Sequence, residues 1–137
     1  MKIHTTNYTN TFIQVADDCP TFSGEIPPQK GETLSIANRQ FELISKNPYK
    51  YTSDDLLFEV FAERRDLAPS EMKAERDQFF SKGQPCLRAS SLTKRYGWGM
   101  HFDKNGRIAL YGCGTDEYKR LSSDGSLQLL KAMKTSK

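Results

Sequence analysis

The strongest constraint on the fold lies in WGMHFDKNGRIALYG, residues 98–112, where two apolar-rich runs flank Asp103-Lys104-Asn105-Gly106. Strand-forming residues on both sides of such a turn read as a β-hairpin, and the turn can be cut in two ways. A two-residue Asn105-Gly106 loop sets Phe102 opposite Ala109 and Met100 opposite Tyr111. A three-residue Lys104-Asn105-Gly106 loop, with Gly106 left-handed in a bulge, sets Asp103 opposite Arg107. It also pairs Phe102 with Ile108, Met100 with Leu110 and Trp98 with Gly112. Side chains alternate along a strand, so only the three-residue loop gathers the large apolar groups on one face. The opposite face then carries Gly97, Gly99, His101, Ala109 and Tyr111. Glycines there ease a twist on a solvated face, or leave room for a ligand to approach the backbone.

With 137 residues the chain reads as one domain, 1–137, able to bury a core. Mean hydropathy is low, at -0.68, but eight Phe, six Tyr and a Trp argue against disorder. The net charge of +3 is too mild to imply a polyanionic partner. A local feature is sharper: no acid lies between Asp77 and Asp103, whereas Lys82, Arg88, Lys94 and Arg95 do. No apolar run is long enough to span a membrane, and the N-terminus lacks a secretory signal pattern. Cys19, Cys86 and Cys113 are odd in number, far apart and in no CxxC arrangement. That usage fits reduced thiols in a cytoplasm.

Along the chain, residues 9–16 read as a strand and 17–31 as a loop broken by Pro20, Gly24 and Pro27-Pro28. A helix over 33–46, with Thr33 as N-cap, turns Leu34, Ala37, Phe41 and Ile44 inward. In residues 56–63, Leu56, Phe58, Val60 and Ala62 alternate with Leu57, Glu59, Phe61 and Glu63, which predicts a central strand. A second helix spans 69–81, opened by Pro69 and closed by Gly83, with Met72, Phe79 and the stem of Arg76 inward. Residues 84–96 are irregular or hold one short strand near Leu87, with Ser90-Ser91 breaking any helix. Thr115 caps a short helix over 116–121, Asp124-Gly125 turns the chain, and 126–133 is read as a strand over a helix. The order β-α-β-α-β-β-α-β predicts an α+β fold, a mainly antiparallel sheet with two or three helices packed on one face.

Few residues carry recognisable chemistry. Cys86 and His101 are the one pair that could form a thiolate dyad, with Arg88 nearby. The plainer account is a buried structural cysteine and a surface histidine. His4 and His101 match no zinc spacing, so no metal and no cofactor are expected. Gly112-Cys113-Gly114 falls short of a dinucleotide fingerprint because Glu117 stands at the third glycine position, and no Walker loop or GxSxG elbow is present. The remaining candidate is the basic loop 82–101. Arg88, Lys94 and Arg95 supply charge, Ser90 a hydroxyl and Tyr96 a ring for stacking, with His101 and Tyr111 on the adjoining hairpin face. Against it stands the reading of Lys94 and Arg95 as solvated charges or partners of Glu59 and Glu63.

SKGQPCLRASSLTKRYGWG, together with HTTNYTNTFIQVADDCP and NPYKYTSDD, resembles a family of small uncharacterised bacterial proteins. The resemblance covers nearly the whole chain. It implies one α+β domain from a bacterium and carries no activity, cofactor or site residues.

The expected function is therefore a non-catalytic cytoplasmic domain that binds an anionic small molecule or nucleic acid through loop 82–101. The alternatives are an enzyme using Cys86 with His101, and a protein-interaction module that self-associates as a homodimer.

Overall fold

Hydrogen bonding along residues 98–112 builds the hairpin, and the rest of the sheet adds to it. The computed structural model describes residues 4–29, 31–32 and 34–134. In chain order it holds β1 (Thr11–Gln14), α1 (Ile36–Lys46), α2 (Ser53–Arg65), α3 (Met72–Phe79), α4 (Ser91–Lys94), β2 (Trp98–Phe102), β3 (Ile108–Gly112), α5 (Asp116–Ser122) and β4 (Gln128–Lys131), with 3-10 turns at Pro69–Glu71 and Leu87–Ala89. The sheet order is β3-β2-β1-β4; β1 runs antiparallel to β2 and parallel to β4. The fold is α+β.

The three-residue loop is the one adopted. Phe102 pairs with Ile108, Met100 with Leu110 and Trp98 with Gly112. Gly106 has φ 78°, a left-handed conformation that glycine adopts without a Cβ clash. Asp103 Oδ1 accepts from the backbone N–H of Asn105 and of Arg107, which fixes the turn. Within residues 126–133 a strand does form, β4 over Gln128–Lys131, at the sheet edge. At the opposite edge the connection between α1 and α2 covers β3. Tyr49 N–H donates to the Ile108 carbonyl at 2.8 Å, Ile108 N–H donates to that of Tyr51 at 2.9 Å, and Thr52 bridges Arg107.

On the front face Ile13, Met100, Phe102 and Ile108 pack against Leu43, Ile44, Leu56, Val60, Leu87 and Leu92. The strand expected over 56–63 is a helix. Its ends carry ordinary helix signals: Thr52 Oγ1 accepts from Asp55 N–H, Asp54 and Asp55 occupy the first turn, and Arg64 and Arg65 the last. Asn7 Oδ1 accepts from Asp54 N–H, and Thr5 and Thr6 hydroxyls donate to the Asp54 carboxylate. The alternation arises because α2 is buried on two sides. Leu56 and Val60, one turn apart, enter the main core. Phe58 and Ala62, also one turn apart, enter a second cluster with Phe80, flanked by Phe61, Leu67, Met72 and Phe79. Two i,i+4 pairs offset by two residues mimic a strand's period of two.

Other expectations also shift. Ser35, not Thr33, caps α1 through a capping box with Asn38, and Thr33 lies outside the described residues. Gln40 joins Leu43 and Ile44 as a buried residue of α1, while Ala37 and Phe41 are half-buried. Ser90 starts a helix rather than breaking one, because its hydroxyl accepts from Leu92 N–H as the N-cap of α4. No strand forms near Leu87; that residue opens a 3-10 turn. Helix α3 closes at Phe80, before Gly83, and Arg76 lies over the rings of Phe58 and Phe80 at 5.6 and 5.5 Å.

Helix α5 lies on the reverse face. Tyr118 meets Phe12 edge-on at 5.1 Å, and its hydroxyl accepts from Val15 N–H at 3.0 Å. Both rings press on Gly99, where an added Cβ would lie 2.6 Å from Phe12 Cζ and 2.7 Å from Tyr118 Cε2. The glycine makes room for the protein's own aromatic pair. Gly99→Ala should therefore destabilise the protein by about 1–3 kcal/mol through overpacking, measured by urea denaturation; unchanged stability would refute this packing.

Candidate functional site: a groove between α1, α2 and residues 84–91

The residues expected to form one site are divided by the sheet. Segment 87–96 packs on the front face, with Leu92 and Thr93 fully buried. Ser90 is buried and donates to Gln40 Oε1 at 2.7 Å. Arg88 Nε donates to the Lys131 carbonyl at 2.6 Å, and its own carbonyl accepts from Met133 N–H, tying the loop to β4. Lys94 and Tyr96 are half-buried and Arg95 is exposed. Glu63, a possible partner for these cations, is instead held by Arg39. His101 and Tyr111 belong to the reverse face, since they alternate with Met100 and Leu110 of the core.

Cys86 and His101 are not brought together. Cys86 adjoins Tyr8, whose ring meets the front-face Phe102 edge-on at 5.3 Å. Burial first, then the hydrogen bond to the Cys86 thiol, pushes the Tyr8 hydroxyl up to about 12. His101 points from the other side of the sheet, and its Nδ1 meets Tyr49.

What the front face does form is a groove of about 600 Å³. One wall is Ile36, Ala37 and Gln40 of α1; another is Leu57, Val60, Phe61, Arg64 and Arg65 of α2; the third is residues 84–87 and 89–91, with Phe79 at one end. A second hollow of about 500 Å³ adjoins it, sharing Ile36, Ala37, Arg64 and Ser91 and adding Pro28, Leu34 and Tyr96. Among the described residues, two arginines and no acid line the groove. The Arg65 guanidinium lies 5.0 Å over the Phe61 ring, and Arg64 Nη1 donates to the Leu34 carbonyl at 3.3 Å. Arg39 braces α1 to α2 by two bonds of 2.7 Å to the Glu63 carboxylate, which hold its guanidinium strongly protonated. Glu63 is thereby engaged away from the groove.

Gln40, Phe61, Arg64 and Arg65 do not stand out in the sequence. They share a wall only if residues 53–65 are helical, because Leu57, Phe61, Arg64 and Arg65 then fall on one side at three- and four-residue steps. The helix-end signals at Thr52 and Arg64-Arg65 could have revealed this.

On the reverse face a second polar group forms. Tyr49 Oη lies 2.8 Å from His101 Nδ1 and 2.7 Å from Tyr111 Oη. Burial lowers the His101 pKa, partly opposed by Asp103 and Asp124. The neutral ring then accepts at Nδ1, so Tyr49 donates to it and accepts from Tyr111. Burial and the Tyr111 contact raise the Tyr49 pKa, so that hydroxyl stays protonated. Tyr49 reaches this position with φ 60°, a left-handed conformation uncommon for an aromatic residue.

A model described as a family of unknown function (DUF6157) matches residues 3–137. The chain belongs to this family. No curated protein and no solved structure matches it. Membership of DUF6157 covers nearly the full length and brings no ligand, reaction or site residue with it. Among the described residues of this DUF6157 chain, no helix is long and apolar enough to cross a membrane, and no group of three His, Cys, Asp or Glu is placed to hold a metal ion.

The lowered His101 pKa has a definite sign in stability. The folded state favours the neutral ring, so the unfolded chain binds the proton more readily, and stability falls as pH drops below the unfolded-state value. The wild-type protein should lose stability more steeply than His101→Gln between about pH 7 and about pH 5. Chemical denaturation at the two pH values measures this, and parallel profiles would refute it.

Proposed function

We propose that the chain is a non-catalytic binding module for a small organic anion with an apolar body, seated in the groove between α1, α2 and residues 84–91. The observation that carries the reading is the lining itself: Leu57, Val60, Phe61, Phe79 and Leu87 beside Arg64 and Arg65, with no carboxylate among the described residues. Ligand sites of this size are mostly apolar, with a few polar groups that fix orientation. The apolar walls bury the body, and the arginines at the C-terminal turn of α2 hold the charge.

The acid-free loop enters this reading as one wall. Arg88 is engaged with β4 and Ser90 with Gln40, so the loop offers less free charge than its composition suggests. This favours an enclosed small molecule over a nucleic acid strand, which needs an open basic track with exposed stacking rings. The separation of Cys86 from His101 by the sheet supports a non-catalytic role. The same reading takes residues 1–137 as a single domain working in a bacterial cytoplasm, consistent with Cys19, Cys86 and Cys113 as free thiols.

Phenylbutyrate and its neutral amide form the test. At about a hundred times its dissociation constant a ligand contributes roughly 2.7 kcal/mol, a rise of several degrees in the thermal midpoint. The carboxylate should produce this shift and the amide a smaller one. The Arg64→Ala/Arg65→Ala double variant, whose changes lie at an exposed helix end, should fold and lose the difference. Equal shifts from acid and amide would overturn the proposal.

A further inference from the structure

The loop over residues 20–29 holds apolar side chains out in water on a pinned backbone, and its root lies beside the groove. Phe22 is 91% exposed and Ile26 73%, while Ile36, which lines both hollows, is 51% exposed. These are three of the five large apolar side chains exposed among the described residues, so they form a surface rather than a scatter. Pro28, two residues after Ile26, lines the second hollow together with Tyr96. We propose that a second copy of this chain covers this surface, in a two-fold dimer where the Phe22–Glu25 segment of each copy enters the groove of the other.

The loop is braced from behind. Glu25 N–H donates to the Tyr96 carbonyl, and the Glu25 carbonyl accepts from Trp98 Nε1, both at 2.8 Å. Thr21 Oγ1 donates to the Ser23 carbonyl at 2.9 Å and closes the tip. Gly24 lies against the indole, where an added Cβ would come within 2.8 Å of the Trp98 ring. A backbone already ordered in the free molecule loses little entropy on docking, and a desolvated aromatic anchor supplies much of an interface's energy. The same bonds keep Phe22 out of its own groove, so the groove that receives it belongs to another molecule.

Charge and shape select the occupant. Phe22 is an apolar body, and Glu25, three residues on, is an exposed carboxylate. The groove offers the complement: Leu57, Phe61 and Phe79 for the ring, and Arg64 and Arg65, about one helical turn beyond Phe61, for the charge. Neither side opposes the other, since residues 20–29 contain no Lys or Arg and no acid lines the groove among the described residues. The root of the loop adjoins the hollow that shares Ile36, Ala37 and Arg64 with the groove, which sets loop and groove on neighbouring surface. A two-fold axis then satisfies both exchanges at once and closes the assembly at two copies. The dimer rests on the reading of the groove as a site for an apolar body with a negative charge. It adds that the partner masks the site, so that a small anion has to displace the loop.

Sedimentation velocity of the full chain at rising concentration tests this. The wild-type protein should be mainly dimeric at about 100 μM, as befits a weak, small interface. Phe22→Ser, at an exposed position, should raise the dimer Kd about thirtyfold, the effect of losing a central aromatic anchor. Glu25→Arg and Arg64→Glu/Arg65→Glu, each checked for folding by circular dichroism, should be monomeric because loop and groove then repel. Mixed together they should regain the dimer, since both exchanges are attractive in the mixed pair. Phenylbutyrate should return the wild-type dimer to monomer. A wild-type monomer at that concentration, a dimer unaffected by Phe22→Ser, or folded charge variants that stay monomeric when mixed would overturn the proposal. A thermal shift by phenylbutyrate in a protein that stays monomeric removes the dimer alone. A dimer that follows the charge exchange, with no thermal shift by phenylbutyrate in the monomeric Phe22→Ser variant, removes the small-anion reading alone.

Discussion

The structure depends on α2 being buried on two sides at once. Leu56 and Val60 close the main core over Ile13, Met100 and Phe102, while Phe58 and Ala62 hold the small aromatic cluster that carries α3. A helix so placed is a shared wall, and removing it would expose both clusters. Its third side, with Leu57, Phe61, Arg64 and Arg65, is left to face the groove. The Arg39–Glu63 fork fixes the spacing to α1; being partly exposed, it adds geometry more than energy, about 0–1 kcal/mol. The groove is thus what remains when one helix serves two cores and is braced at a set distance from its neighbour.

The same double burial explains what was legible in the sequence. The hairpin could be read in full because its information is local: four turn residues, a left-handed glycine and an alternation that has to keep Met100, Phe102, Ile108 and Leu110 together. Thr115 and α5 were legible for the same reason. Residues 56–63 were not, because a helix with two apolar faces loses the single stripe that marks an amphipathic helix. Thr52, Asp54-Asp55 and Arg64-Arg65 were the better evidence there. In residues 84–96 the serines carried opposite meanings. A Ser pair suggests interruption, but Ser90 accepting from Leu92 N–H starts a helix.

The candidate site was half legible. Of the acid-free stretch, Pro85, Cys86, Leu87 and Ser90 line the groove. Its partners lie far along the chain in α1 and α2, where nothing local distinguishes Gln40 or Arg64 from surface residues. His101 and Tyr111 looked close to the basic loop in sequence, but strand alternation sends them through the sheet to Tyr49. Nearness along a strand changes face at every residue; nearness in sequence is therefore a poor guide to a shared site.

The position of β1 has a consequence for how the chain assembles. It lies inside the sheet, yet both its neighbours, β2 and β4, come from the last third of the sequence. Phe12 and Ile13 are fully buried in the finished protein. Both partners of Thr11–Gln14 lie far along the chain, and closing so long a loop is entropically slow. Loop entropy favours one order of events: the hairpin, closed by a local turn, as the template, then β1 onto β2, then β4 onto β1. A molecule halted after the first step presents an apolar strand with both edges open, the state in which a second chain can take the place of the first.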